Sequence, residues 1–274
     1  MPVPPTPADD FAAYLRSYTE ESLDHRTSLE DVWDRYHLPD SDHTVNRRHR
    51  DRAASLNHLA DWRADRSPYE LQVHEVVADG RRAAARYTVS RTLLLQVRYN
   101  TEVAIFADIG DDGRIASTVS TARMTYGWGQ PGDDTPEDDG RPANAGAAPR
   151  EVDAAVYLTD FARLSSDPSA PLEESYDQYH APNTVQYING TAMRRQDVLQ
   201  ALAESRRKGT AYDLSFHSSV SQGLRFAARY TMAPAQGPRG VGDLEVFAFG
   251  QFAEDGRVSR LRSVMQTASG YWPA

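Results

Sequence analysis

The sequence predicts an α+β protein built from two copies of one unit, and three observations carry that prediction. The chain repeats itself in constant register. Moving 143 residues along from Trp33-Asp34-Arg35-Tyr36-His37 gives Tyr176-Asp177-Gln178-Tyr179-His180, and from Ala84-Ala85-Arg86-Tyr87-Thr88 gives Ala227-Ala228-Arg229-Tyr230-Thr231. A period this long is a domain, since solenoid repeats run about 20–50 residues. Within each copy the apolar spacing is helical first and alternating afterwards. Asp-Gly pairs at Asp112-Gly113 and Asp255-Gly256 then mark a hairpin late in each copy.

Each element follows from local chemistry. Thr6 and Pro7 suit the cap and first position of a helix whose stripe is Phe11, Tyr14, Leu15 and Tyr18, repeated as Ala154, Tyr157, Leu158 and Phe161. The capping box Thr27-Ser28-Leu29-Glu30 opens a second helix that ends before Pro39; Asp167-Pro168 and Pro182 bracket its counterpart. A short extended piece follows at 43–46 and 186–189. A third helix carries Leu56, Leu59, Ala60 and Arg63, matched by Leu199, Leu202, Ala203 and Arg206. The period then becomes two: Tyr69, Leu71 and Val73 alternate with polar residues, as do Tyr212, Leu214 and Phe216. Gly80 and Gly223 turn the chain into strands at 83–89 and 226–232. Further strands at 102–109 and 245–252, then 114–124 and its counterpart, complete an antiparallel meander behind three helices.

Composition bounds the function. The 274 residues suffice for two ordinary domains, expected at 1–128 and 149–274, joined by an acidic Gly/Pro-rich linker at 129–148. With no cysteine, disulfides, thiolate metal sites and cysteine nucleophiles are excluded. Net charge is −9, which argues against a broad nucleic-acid surface; the basic run Arg47–Arg52 reads as a solvated loop. Lys208 is the only lysine and sits in an Arg206–Gly209 setting that disfavours Schiff-base chemistry. No stretch is long and apolar enough to span a bilayer, and Met1-Pro2-Val3-Pro4-Pro5 has no signal-peptide character, so a cytoplasmic location is expected. No metal-ligand or phosphate-loop spacing occurs; neither a metal nor a cofactor is expected.

Ile188-Asn189-Gly190, Ala84–Thr88, Glu102–Phe106 and Asp112-Gly113-Arg114-Ile115 together resemble the SnoaL-like members of the nuclear-transport-factor-2-like superfamily. The resemblance covers both units. It implies two cones, each a curved sheet around three helices with a pocket at its mouth, and a pseudo-dimer within one chain, as a monomer or in a larger oligomer. Tandem chains of this layout resemble the epoxide-opening cyclases of polyether biosynthesis. The implied partner is an apolar small molecule; the implied chemistry is cofactor-independent acid–base catalysis, with a non-catalytic carrier or an interaction module as alternatives.

The duplicated candidates for that chemistry are Asp34/Asp177, His74/His217, Tyr87/Tyr230 and Glu102/Glu245, with Glu245, His217, Asp177 and Tyr230 favoured as the second-unit set. Each also has a structural reading. The aspartates sit near a helix end. His74 and His217 alternate with an apolar face and point outward unless that face lines the pocket. Glu102 and Glu245 are placed to pair across strands with Arg86 and Arg229. His37 and His180 suit a helix C-terminus. Tyr14, Asn46, Tyr157, Tyr187 and Asn189 are the expected ligand contacts. Asn46 and Asn189 stand where relatives carry a basic carboxylate, and Arg123 and Gln266 where some carry an acid. The units differ most between 93–99, an apolar stretch, and 234–240, a Pro/Gly loop, which favours the second unit as the working pocket.

Overall fold

The computed structural model describes residues 10–92, 98–125, 153–210, 212–235 and 242–267. The expected Thr6-Pro7 cap, the 129–148 linker and most of the 93–99 and 234–240 stretches lie outside these. The chain divides near residue 131 into two compact units.

The first unit runs α1 (Phe11–Leu23), α2 (Leu29–Tyr36), β1 (His37–Val45), β2 (Arg48–Arg50), α3 (Arg52–Asp65), β3 (Tyr69–Ala78), β4 (Arg82–Thr92), β5 (Arg98–Ile109) and β6 (Ile115–Thr125). The second repeats it as α4 (Ala154–Ser166), α5 (Leu172–Tyr179), β7 (His180–Ile188), β8 (Thr191–Met193), α6 (Arg195–Arg207), β9 (Tyr212–Gln222), β10 (Arg225–Pro234), β11 (Leu244–Phe252) and β12 (Val258–Thr267). The sheets have the same order, β2-β1-β6-β5-β4-β3 and β8-β7-β12-β11-β10-β9. The fold is thus a duplicated α+β cone.

Several local expectations change. Asp10 caps α1, its carboxylate accepting from the Ala13 amide at 2.9 Å. Ser28 rather than Thr27 caps α2, accepting from Asp31. Asp167 ends α4, and Pro171 stands at the cap of α5. Neither Pro39 nor Pro182 ends a helix; both lie inside strands that begin at His37 and His180. These strands are longer than the short extended pieces expected. They run parallel to β6 and β12, so each sheet is mixed, not wholly antiparallel. The crossover through α3 or α6 and the meander brings the last strand back alongside the first, a pairing that no local pattern encodes.

The cores form between the first helix and one face of the long strands. Phe11, Tyr14, Leu15, Val32 and Tyr36 pack with Ala83, Ala85 and Ala107 in the first unit; Tyr157 and Leu158 pack with Phe226, Tyr230, Val246 and Leu261 in the second. Bulges bend β3 at His74 and β9 at His217. Arg63 clamps the helix ends, donating to the carbonyls of Ser22 (3.0 Å) and Thr27 (2.9 Å). Arg206 does the same for Ser165 (2.7 Å), Ala170 (2.8 Å) and Leu164 (2.7 Å), satisfying carbonyls that a helix end leaves open.

Candidate functional site

The second unit encloses a cavity of about 490 Å³ between α4, α6 and the inner face of the sheet. Leu158, Phe161, Val198, Leu202, Leu214, Met232, Leu261 and Met265 make most of its wall. No aspartate or glutamate lines it among the described residues. Its one charged side chain there, Arg206, is spent on the three carbonyls above. A wall of this kind suits a neutral, apolar ligand.

Polar side chains interrupt the wall, Ser165, Gln186, Ser205 and Ser263 among them, and one of them, Tyr157, is linked to a buried imidazole. The Tyr157 hydroxyl, on α4, lies 2.8 Å from Nε2 of His180, the first residue of β7. Nδ1 of His180 lies 3.0 Å from the Tyr176 carbonyl. A carbonyl only accepts, so Nδ1 carries the proton and Nε2 is the lone-pair nitrogen. Its single lone pair accepts from the nearer donor, the Tyr157 hydroxyl, with the Gln186 amide nitrogen beside it at 3.1 Å. Tyr176 stacks on the imidazole at 4.1 Å and Phe161 meets it edge-on at 4.6 Å. His180 is fully buried, and burial lowers its pKa to about 4 against the pull of the Tyr176 carbonyl and the Asp177 charge. Burial also raises Tyr157 well above the ordinary phenol value. At neutral pH both groups are uncharged, and one proton sits between them on a line from the cavity wall inward.

The favoured carboxylate and imidazole come together elsewhere. Leu244 and Val246 pack into the core, so strand alternation turns Glu245 to the opposite face. There it pairs with Arg229 at 2.8 Å. His217, the extra residue of its bulge, bonds Thr231 at 2.8 Å, and Thr231 is the cross-strand partner of Glu245. The first unit repeats this with His74–Thr88 at 2.8 Å and Arg86–Glu102 at 2.9 Å, and extends it: Arg86 also holds Glu75 at 2.6 Å and Arg123 holds Glu102 at 2.6 Å. The two arginines hold the Glu102 carboxyl below its ordinary range although burial opposes them. Neither His217 nor Glu245 lines the cavity.

The remaining candidates divide similarly. Asp34 and Asp177 are exposed and pair with Arg52 and Arg195, both at 2.8 Å, tying the second helix to the third. Arg195 keeps the Asp177 carboxyl below its usual value. Tyr230 lines the cavity; its counterpart Tyr87 packs on the first core, with its pKa pushed up to about 12 by burial. Tyr14 is core, edge-on to Tyr36 at 5.4 Å. Tyr187 is absent from the wall; the Arg262 guanidinium covers its ring at 4.2 Å.

Asn46 and Asn189 are sheet connectors. Each sits at positive φ (51° and 50°) and continues the parallel ladder with its side chain. The Ala122 amide donates to Asn46 Oδ1 at 2.7 Å while Asn46 Nδ2 donates to the Ala122 carbonyl at 3.1 Å; Asn189 and Met265 repeat this at 2.8 and 3.3 Å. Asparagine tolerates the left-handed region and has both a donor and an acceptor, which a basic carboxylate lacks.

In the first unit, the counterpart of the imidazole site is different. His37 stacks on Trp33 at 4.0 Å and meets His43 edge-on at 5.0 Å. His43 bonds Thr118 and Ser41 at 2.8 and 3.0 Å. Burial lowers His37 to about 3 and His43 to about 4. Among the described residues, Tyr14 makes no hydrogen bond to His37.

Among the described residues no helix is long and apolar enough to cross a membrane, and no group of three or more His, Asp or Glu is placed to hold a metal ion. No family model matches the chain, and no curated protein does. Among solved structures, the chain is similar to IdmH from Streptomyces antibioticus, provisionally described as a polyketide cyclase (16% identity, TM-score 0.35, 42% of this chain and 91% of that one). It is also similar to a SnoaL-like-family protein from Agrobacterium tumefaciens, provisionally an isomerase (11%, TM-score 0.35, 41% and 96%). A third is a de novo designed protein of the nuclear-transport-factor-2 fold (11%, TM-score 0.32, 39% and 79%).

Proposed function

We propose that the second unit is a cofactor-independent acid–base catalyst acting on a neutral, apolar, polyketide-like small molecule. The observation that carries this reading is the Tyr157 hydroxyl held on His180 at the wall of a predominantly apolar cavity. In this mechanism the Tyr157 oxygen takes a proton from a bound hydroxyl or an acidic C–H as its own proton passes to Nε2 of His180. The transfer then runs backwards to a second atom of the same ligand. An imidazole whose pKa is about 4 gives its proton up readily, so the device suits reactions that return the proton within one turnover. Cyclisation, epoxide opening, dehydration and isomerisation all have this form.

The cheapest test is hydrogen exchange. The full chain is incubated in D₂O with a panel of apolar, enolisable polycyclic ketones, and deuterium uptake is read by mass spectrometry. Uptake by the native chain, lost in Tyr157→Phe and His180→Gln at unchanged circular dichroism, is the expected result. A carrier is the second reading, favoured by the absence of acidic side chains among the described wall residues. Saturable ketone binding without exchange across the panel would establish it instead.

A further inference from the structure

The positions that wall the cavity in the second unit carry different chemistry in the first. Arg50 lies across the β1–β2 ladder from His43, as Met193 lies across β7–β8 from Gln186. Directly opposed residues of an antiparallel pair share a face, and Met193 and Gln186 both line the cavity. Arg50 therefore stands on the inner face of the first cone, where the second has a thioether. One turn apart on α3, His58 and Trp62 have ring centroids 5.5 Å apart; their counterparts Ala201 and Ser205 are cavity wall. Arg91 follows Tyr87 and Val89 at two-residue spacing on β4, the face on which Tyr230 and Met232 meet the cavity in β10. Its guanidinium covers the Trp62 ring at 5.4 Å and pairs with Asp65.

These groups converge in space. The His58 imidazole is held below its ordinary pKa first by burial, then by the Arg50 charge, with Arg91 adding to it and Asp61 opposing. Arg91 has its counter-ion in Asp65. Arg50 is half-buried and has no hydrogen-bond or ion-pair partner among the described residues. A partly desolvated guanidinium within electrostatic reach of His58, whose ring lies 5.5 Å from the Trp62 indole, favours an anion with an apolar body.

We propose that the first unit binds an organic carboxylate at this end of its cone, the carboxylate on Arg50 and the apolar body against Trp62. The site is separate from the Tyr157 cavity and its ligand class is different. Matched probes test it on the full chain: 2-naphthoate against 2-naphthol at pH 7, by isothermal titration calorimetry. Naphthoate binds saturably and more tightly than naphthol. Arg50→Met, which installs the residue of the second unit, weakens naphthoate about tenfold and leaves naphthol unchanged. Trp62→Ser weakens both probes. The converse Met193→Arg variant gains a second naphthoate site. No saturable naphthoate binding, equal affinity for the two probes, or naphthoate binding indifferent to Arg50→Met in a folded variant would each overturn the proposal.

Discussion

The two units share a backbone register and differ in what they place on it. The second puts a buried imidazole behind a tyrosine and leaves an apolar cavity; the first puts two buried imidazoles against a tryptophan, and arginines on the corresponding inner face. On the opposite sheet face the asymmetry reverses. The first unit completes a four-residue ion network through Glu75, Arg86, Glu102 and Arg123, whereas the second has Ser218 and Gln266 at the outer positions and keeps the Arg229–Glu245 pair. The central Arg–Glu pair is common to both units, whereas the ion network around it and the side chains of the inner face differ.

The largest test of this contrast is on the ion network. Glu102→Gln removes the shared partner of two arginines and is expected to cost the first unit about 3–5 kcal/mol in urea unfolding. Glu245→Gln costs less, because Glu245 has one arginine and its second oxygen already lacks a hydrogen bond. Equal losses would break the contrast.

Acid comes next. His37, His43 and His180 have folded-state pKa values below the ordinary 6.5. Above pH 6.5 neither state is protonated and pH has no effect through these groups. Below it the unfolded chain takes up protons that the folded chain refuses, so stability falls from pH 6.5 down towards about 4, and for His37 towards about 3. Each imidazole contributes about 1.4 kcal/mol per pH unit within its window. With His37 and His43, and with His58 also held below its ordinary value, the first unit should lose stability more steeply through its histidines than the second does through His180. His43→Gln, the residue of the second unit, should reduce that slope in urea titrations between pH 7 and 4.5.

A smaller effect separates the cores. Phe226 faces Gly250 across β10–β11 where the first unit has Ala83 facing Ala107. A Cβ on Gly250 would sit 2.2 Å from the Phe226 ring. Gly250→Ala should cost about 1–3 kcal/mol alone, and the added Phe226→Ala change should relieve the clash, giving a coupled double-mutant cycle. Additive losses would show that the pair does not share one volume. Smallest of all, Arg47 occupies a left-handed turn position (φ 63°) where the second unit has Gly190 (φ 83°). Arg47→Gly is expected to stabilise the first unit by about 1 kcal/mol, read as a raised urea midpoint.

Much of the scaffold was legible in the chain. The 3.6-residue stripes of Tyr14 and Tyr157, the alternation from Tyr69 and Tyr212, and the Asp-Gly hairpins are local signals, because each depends only on neighbours a few residues apart. The Arg86–Glu102 pair was legible too, since adjacent strands of a meander have nearly determined register. The candidate site was not. Tyr157 and His180 lie on different elements, and the same residue types at Tyr14 and His37 form no such bond, so residue identity carries no signal for it. Asn46 and Asn189 misled by position: their chemistry is set by a left-handed backbone and by a strand that arrives 76 residues later.

By itself the sequence determined that there are two units, that each is three helices and a meander, and where the cross-strand charges pair, because periodicity, turn chemistry and duplication are properties of the chain. Only the tertiary structure decided which face of each strand is the inner one. It closed each sheet with a parallel pair between its first and last long strands, turned Glu245 and His217 away from the cavity, and brought His180 under Tyr157. Those outcomes depend on a bulge that shifts side-chain parity and on contacts between segments far apart in the chain, and neither is written in any local pattern.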